Sequence, residues 1–133
     1  MSVSAPISTN QLSGTATFLS QNPLFASLSA PEIDELAAAA QRKAVAKYHF
    51  IYASGETSKW IYMLMSGSVK VASHSEMGRE VIKTVVNPGG VFGELSLTGE
   101  THRDDCAAAL KLESTYLMLP ADKIQQLDRK SVV

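Results

Sequence analysis

From 42 to 119 the chain is a succession of short apolar segments broken by glycine turns, and this punctuation limits the fold more than any other feature. Ala44, Ala46 and Tyr48 alternate with Lys43, Val45 and Lys47, which has the two-residue period of a strand. A second segment, 50–52, leads to the turn Ser54-Gly55-Glu56, and a third covers 60–65. Ser66-Gly67-Ser68 turns into 69–71, and 75–79 closes a hairpin into 80–86. After the strong turn signal Asn87-Pro88-Gly89-Gly90, two more segments fall at 104–110 and 114–119. Short strands at this spacing predict an antiparallel sandwich or barrel.

Helical patterns flank the strands. The stretch 18–28 carries Phe18, Leu19, Leu24, Phe25 and Leu28 and predicts a short helix broken near Pro23. Ser29-Ala30-Pro31-Glu32 is a capping box, followed at helical spacing by Ile33, Leu36, Ala37 and Ala40. A last helix is expected from Pro120, with Ile124 and Leu127 on one face. The first 17 residues, rich in Ser, Thr, Ala and Asn, read as a flexible leader.

One loop carries the chemistry. Between 91 and 109 the chain places Gly93-Glu94 at the expected start of a short helical turn and Arg103 nine positions after the glutamate. Free N–H groups at a helix start or glycine turn bind anions, and an arginine adds a planar fork of donors suited to phosphate oxygens. A carboxylate accepts hydrogen bonds from sugar hydroxyls. Glu94 and Arg103 together fit a ligand with a ribose and a phosphate on one side.

Phe92-Gly93-Glu94-Leu95, with Leu97 and Arg103, resembles the phosphate-binding cassette of cyclic-nucleotide-binding domains. The wider pattern is similar to the sensor domain of the Crp–Fnr transcription regulators, over roughly Phe18 to Leu127. That resemblance implies a mainly β fold: an antiparallel double-stranded β-helix, jelly-roll-like, with short α-helices at both ends. It implies a sensor domain over 18–128 and a tail over 129–133, with the dimerisation helix and winged helix-turn-helix of those regulators absent from this chain. It implies ligand-binding roles for Gly93, Glu94, Leu95, Ser96, Arg103 and Asp104, the glutamate on the ribose 2′-hydroxyl and the arginine on the cyclic phosphate. The effector would be cAMP or cGMP, the full-length form a homodimer, and DNA would be contacted only through the missing domain. The same resemblance implies a non-enzyme without a resident cofactor or metal.

Two positions depart from the family pattern. Binders carry Ala, Ser or Thr directly after the arginine, whereas Asp104 and Asp105 follow it here. A carboxylate about 5 Å from a phosphate is repelled by about 3 kcal/mol at an effective dielectric of about 20, on the order of a hundredfold in affinity. Either aspartate could instead pair with Arg103. Tyr48 stands where many members have glycine, so the first corner is expected to differ.

Other readings stay open. Glu94 and Arg103 could form an ion pair that closes the cassette without ligand, making the chain a degenerate interaction or dimerisation module. A cupin-like metalloenzyme shares the barrel, but no His-x-His occurs among His49, His74 and His102. Cys106, the single cysteine, reads as a buried small hydrophobe in a reducing cytoplasm. A net charge of −1 gives no basic footprint for nucleic acid, and no apolar run spans a bilayer. The chain is either a truncated regulator or a stand-alone sensor, and the break within a helix favours truncation.

Overall fold

The computed structural model describes residues 3–5, 9–57, 59–94, 103–111 and 113–131. Among these residues nine strands, β1 (Val3–Ala5), β2 (Gln41–Val45), β3 (Phe50–Tyr52), β4 (Trp60–Ser66), β5 (Val69–His74), β6 (Glu80–Val86), β7 (Val91–Phe92), β8 (Cys106–Ala109) and β9 (Ser114–Pro120), form two antiparallel sheets. One has the order β1-β2-β9-β4-β7 and the other β3-β8-β5-β6. Among the described residues three helices, α1 (Thr9–Ser20), α2 (Ala30–Ala39) and α3 (Ala121–Ser131), flank the strands, with a 3₁₀ turn at Pro23–Phe25 between the first two. The architecture is therefore mainly β and jelly-roll-like, with short helices at both ends, as the family resemblance implied, and its antiparallel sheets agree with the strand spacing.

The two central strands are apolar at almost every position because they are covered on both sides. Ile61 and Met63 of β4, with Leu117 and Leu119 of β9, meet Leu19, Phe25, Ile33, Leu36, Ile124 and Leu127 of the helical layer. The alternate residues Tyr62, Leu64, Tyr116 and Met118 point into the roll against Tyr52, Val69, Val71, Phe92, Ala107 and Ala109. Strand side chains alternate between faces, so one apolar run supplies two cores. Full burial of each large aliphatic side chain contributes about 1.5–3 kcal/mol.

The helices follow their local signals. Ser29 caps α2, with both arms of the capping box made: Glu32 N–H donates to Ser29 Oγ at 3.3 Å and Ser29 N–H to Glu32 Oε1 at 2.8 Å. Lys123 of α3 pairs with Glu35 of α2. α1 begins at Thr9, inside the stretch read as a leader, and β1 adds to the edge of β2 with Val3 opposite Ala44. Thr15 and Leu19 are buried, and Ala16 and Phe18 pack on the helical core, which anchors the end of α1 despite its polar composition.

The first corner keeps its geometry without a glycine. Tyr48 takes a left-handed φ of 68°, its N–H donates to Ala109 O at 2.9 Å, and its ring lies exposed 4.7 Å from Lys47 Nζ. An L-residue with a side chain pays about 1–2 kcal/mol there. At Gly67, with φ +93°, no such substitution is open. A Cβ would lie 2.2 Å from Ser114 Oγ and 2.8 Å from Ser114 Cα. That close approach lets Ser114 Oγ accept from Ser68 N–H at 3.1 Å and so ties the β4–β5 turn to β9. Gly67→Ala is expected to lower unfolding free energy by about 2–4 kcal/mol in urea titrations, an effect of strain and clash together.

Candidate functional site

Arg103 is a charged residue in the wall of the roll, with only 4% of its surface exposed. Its backbone is fixed by the turn after β3, through Gly55 N–H to Arg103 O at 2.8 Å and Arg103 N–H to Glu56 O at 2.9 Å. Its guanidinium donates to Gly93 O at 2.8 Å and to Trp60 O at 2.5 Å. The planar group also stands 4.4 Å from the Tyr52 ring centre and 5.6 Å from that of Tyr62. Tyr52, Tyr62 and Phe92 stack within the roll, Tyr62 and Phe92 at 5.2 Å. Electron-rich faces and carbonyl oxygens thus stand in for the water that a cation loses on burial.

Gly93 makes the arrangement possible. Its φ is +74°, and a Cβ there would lie 2.8 Å from the Tyr62 ring and 3.0 and 3.2 Å from the two terminal nitrogens of Arg103. The glycine of the Gly-Glu pair therefore serves both the turn and the close approach of the arginine.

A cavity of about 200 Å³ opens beside this cluster, bordered by Gly93, Glu94, Arg103 and Tyr52, and by Asp105 together with Lys83 and Thr84 of β6. Glu94 is exposed at the rim. Among the described residues no ion pair joins Glu94 to Arg103, so the closed carboxylate–guanidinium pair considered from sequence is replaced by main-chain acceptors. Leu95 and Ser96, and the helical turn expected after Glu94, lie outside the described residues.

The two aspartates separate. Asp104 is exposed and does not border the cavity; its carboxylate is 4.0 Å from Lys83 Nζ. Asp105 is buried, accepts from the Tyr52 hydroxyl at 3.1 Å on one oxygen and from Lys83 Nζ at 3.3 Å on the other. Neither pairs with Arg103. Both lie in the bend that precedes β8, and the Tyr52 hydroxyl and Lys83 hold Asp105 inward while Asp104 stays in solvent.

Lys83, Thr84 and Tyr52 were not singled out from sequence. Simple alternation would put Lys83 and Thr84 on opposite faces of β6. The ladder slips between them: Val71 pairs with Thr84 while Ala72 pairs with Ile82, leaving Lys83 as the extra residue of a bulge. A bulge re-aims its side chain, here towards the cavity. The lysine inside Glu80-Val81-Ile82-Lys83-Thr84-Val85-Val86 was the available signal.

Cys106 is buried with its thiol 3.4 Å from Ala72 O, and burial, then Glu80 and Asp105, push its pKa up. Among the described residues no group of His, Cys, Asp and Glu is placed to hold a metal ion, and no helix is long and apolar enough to cross a membrane.

Two antiparallel sheets rolled into a jelly-roll with short flanking helices place the chain in the class of cyclic-nucleotide-binding folds. The chain belongs to the cyclic nucleotide-binding domain family, whose model matches residues 42–131. It is 34% identical over 62 residues to a CRP-like cAMP-activated global transcriptional regulator of Mycobacterium tuberculosis, covering 47% of this chain and 28% of that protein. It is 31% identical over 97 residues to the cyclic AMP receptor protein of Thermus thermophilus, covering 73% of this chain and 44% of that protein. The chain thus spans less than half the length of these relatives. The sensor domain of the transcriptional regulator DNR from Pseudomonas aeruginosa superposes with a TM-score of 0.86 at 22% identity, over 91% of this chain and 81% of that one, and shares the fold.

Burial raises the pKa of both Tyr52 and Tyr62 above the ordinary 10.0; Asp105 adds to it at Tyr52, while Arg103 partly opposes it at both. An acid whose folded pKa is raised contributes stability that is complete below its unfolded pKa and is lost as pH rises through the folded value. Tyr52 and Tyr62 are therefore expected to ionise at higher pH than a free tyrosine in phenolate absorbance, and stability to fall as pH rises above about 10. Gly93→Ala is expected to cost about 2–4 kcal/mol in the same unfolding assay, because the guanidinium or the Tyr62 ring must move.

Proposed function

We propose that the chain is the effector-sensing domain of a Crp–Fnr-type transcription regulator and binds a cyclic nucleotide, or a similar small phosphate ligand, in the cavity beside Arg103. The observation that carries the reading is that Glu94 and the buried Arg103 border the same cavity on either side of Gly93. A guanidinium has five N–H donors, and the two carbonyl contacts leave others for a phosphate oxygen. Glu94, exposed at the rim, would take the ribose hydroxyls. The work is non-catalytic: the ligand shifts the domain between two arrangements by binding one of them better. In the whole regulator a homodimer would convey that shift to a separate DNA-binding domain.

The doubled aspartate does not oppose this reading as strongly as its charge suggests. Asp104 is turned to solvent, and Asp105 already accepts from Lys83 and Tyr52. Asp104 is therefore not retained as a ligand contact.

A second reading, a ligand-free dimerisation module, draws on one observation. Arg103 is already held by two carbonyls and an aromatic face, so the fold does not need a phosphate to satisfy it. Calorimetric titration with cAMP and cGMP separates the two. The sensing reading expects saturable heat and a rise in melting temperature, both abolished by Arg103→Ala. No rise with either nucleotide at millimolar concentration leaves the ligand-free module standing.

A further inference from the structure

We infer that Lys83 and Asp105 read the base of the bound nucleotide and favour guanine over adenine. The inference rests on the reading that the phosphate occupies the Arg103 end of the cavity, and it assigns the other end. The Tyr52 side chain links the two: its ring lies against Arg103 at 4.4 Å and its hydroxyl reaches Asp105 at 3.1 Å. Beyond Asp105 stands Lys83, brought to the cavity by the bulge in β6.

This far end presents an acceptor and a donor side by side, with Lys83 Nζ 3.3 Å from Asp105 Oδ2. The pair has unused capacity. Each carboxylate oxygen takes one of these contacts and keeps a further lone pair, while an ammonium has three donors. The Asp105 carboxylate is buried and held in place by the Tyr52 hydroxyl, so it is a fixed acceptor. Lys83 is more exposed, with 43% of its side chain accessible, and can swing towards a ligand without leaving Asp105 far behind.

Guanine carries an acceptor, O6, next to two donors, N1–H and the exocyclic N2–H. Its edge matches the pair at three points: Lys83 donates to O6 while Asp105 accepts from N1–H and N2–H. Adenine offers one donor group and one ring acceptor, with a bare C2–H where guanine has its amino group, and can match at two points only. Sites built to hydrogen-bond a group reject the analogue lacking it, because the buried partner is left unpaired. The hydrogen bond at issue is made to a charged group, which places the expected discrimination at about tenfold or more.

The test is direct titration of the whole chain with cGMP, cIMP and cAMP. cIMP keeps O6 and N1–H but lacks the amino group, so it separates the two contacts to Asp105. cGMP is expected to bind at least about tenfold more tightly than cIMP and cAMP, each of which matches the pair at two points. Asp105→Asn, which keeps the shape of the side chain and replaces one acceptor oxygen by a donor amide, is expected to bring the cGMP to cAMP ratio to within about threefold of unity, whereas Lys83→Met removes one contact from either base and is expected to weaken both nucleotides. Circular dichroism and melting of each variant show that it is folded. Binding of both nucleotides by the wild type without preference, or with cAMP favoured, overturns the base assignment and leaves the phosphate reading intact. So does a guanine preference that survives Asp105→Asn. A folded wild type that binds none of the three overturns both.

Discussion

The burial of one guanidinium organises the interior of this roll. Arginine stays charged at any pH the fold survives, so it cannot escape the cost of burial by losing its proton. The chain must surround it with acceptors instead, and it draws them from three places, β3, β4 and the turn after β7. Gly93 and Trp60 give carbonyl oxygens, Tyr52 gives a ring face, and Gly55 and Glu56 hold the backbone of Arg103 itself. Each of these constrains its own neighbourhood. Position 93 takes a side chain only if the guanidinium or the Tyr62 ring moves, and the roll interior is aromatic rather than aliphatic beside the cation. The turn after β3 must bring its peptide groups to the start of β8. Removing the cation would leave several of these features without a reason.

Much of this frame can be read from the residues in order, because its rules are local. The unbroken apolar run of β4 declares burial on both faces, and the sheet pairing puts Ile61 and Tyr62 into different cores. The capping box of α2 is a matter of four adjacent residues. Gly93, Glu94 and Arg103 are recognisable because their spacing is short and their chemistry unusual. Lys83 and Tyr52 escape such reading for a geometric reason. They reach the cavity from strands far away in sequence, and Lys83 does so only because a bulge breaks the alternation that sequence reasoning assumes. Tyr48 and α1 escape it for another. A left-handed tyrosine and a helix of Thr, Asn, Gln and Ser both run against local preference, and each is held by tertiary contacts.

The charge pattern of the loop changes meaning once it is folded. In sequence, Asp104 and Asp105 follow the arginine as a doubled negative charge. In space, one carboxylate faces solvent, where water screens it, and the other is joined by an ammonium and a phenol. The cavity is consequently lined by alternating charges rather than by a negative field. Such a wall discriminates among ligands by the order of their donors and acceptors more than by their net charge.

The arginine's second carbonyl has a further consequence for the molecule. Trp60 O receives the guanidinium, and the neighbouring carbonyl, Lys59 O, receives the N–H of Ala121 at 3.0 Å, the first residue of α3. Trp60 also pairs with Pro120 across the ladder, directly before that helix. Two successive peptide groups therefore hold the cation on one side and the root of α3 on the other. A phosphate that competes for the guanidinium changes the load on the first of them, and the second cannot shift without carrying the base of α3 with it. The opposite face of α3, through Ile124 and Leu127, is packed against α2 and the helical core, so a displacement at its root must be taken up as rotation or repacking of the helical layer. Because packed layers have few low-energy arrangements, a small change at Arg103 would favour one of them over another instead of bending the fold gradually.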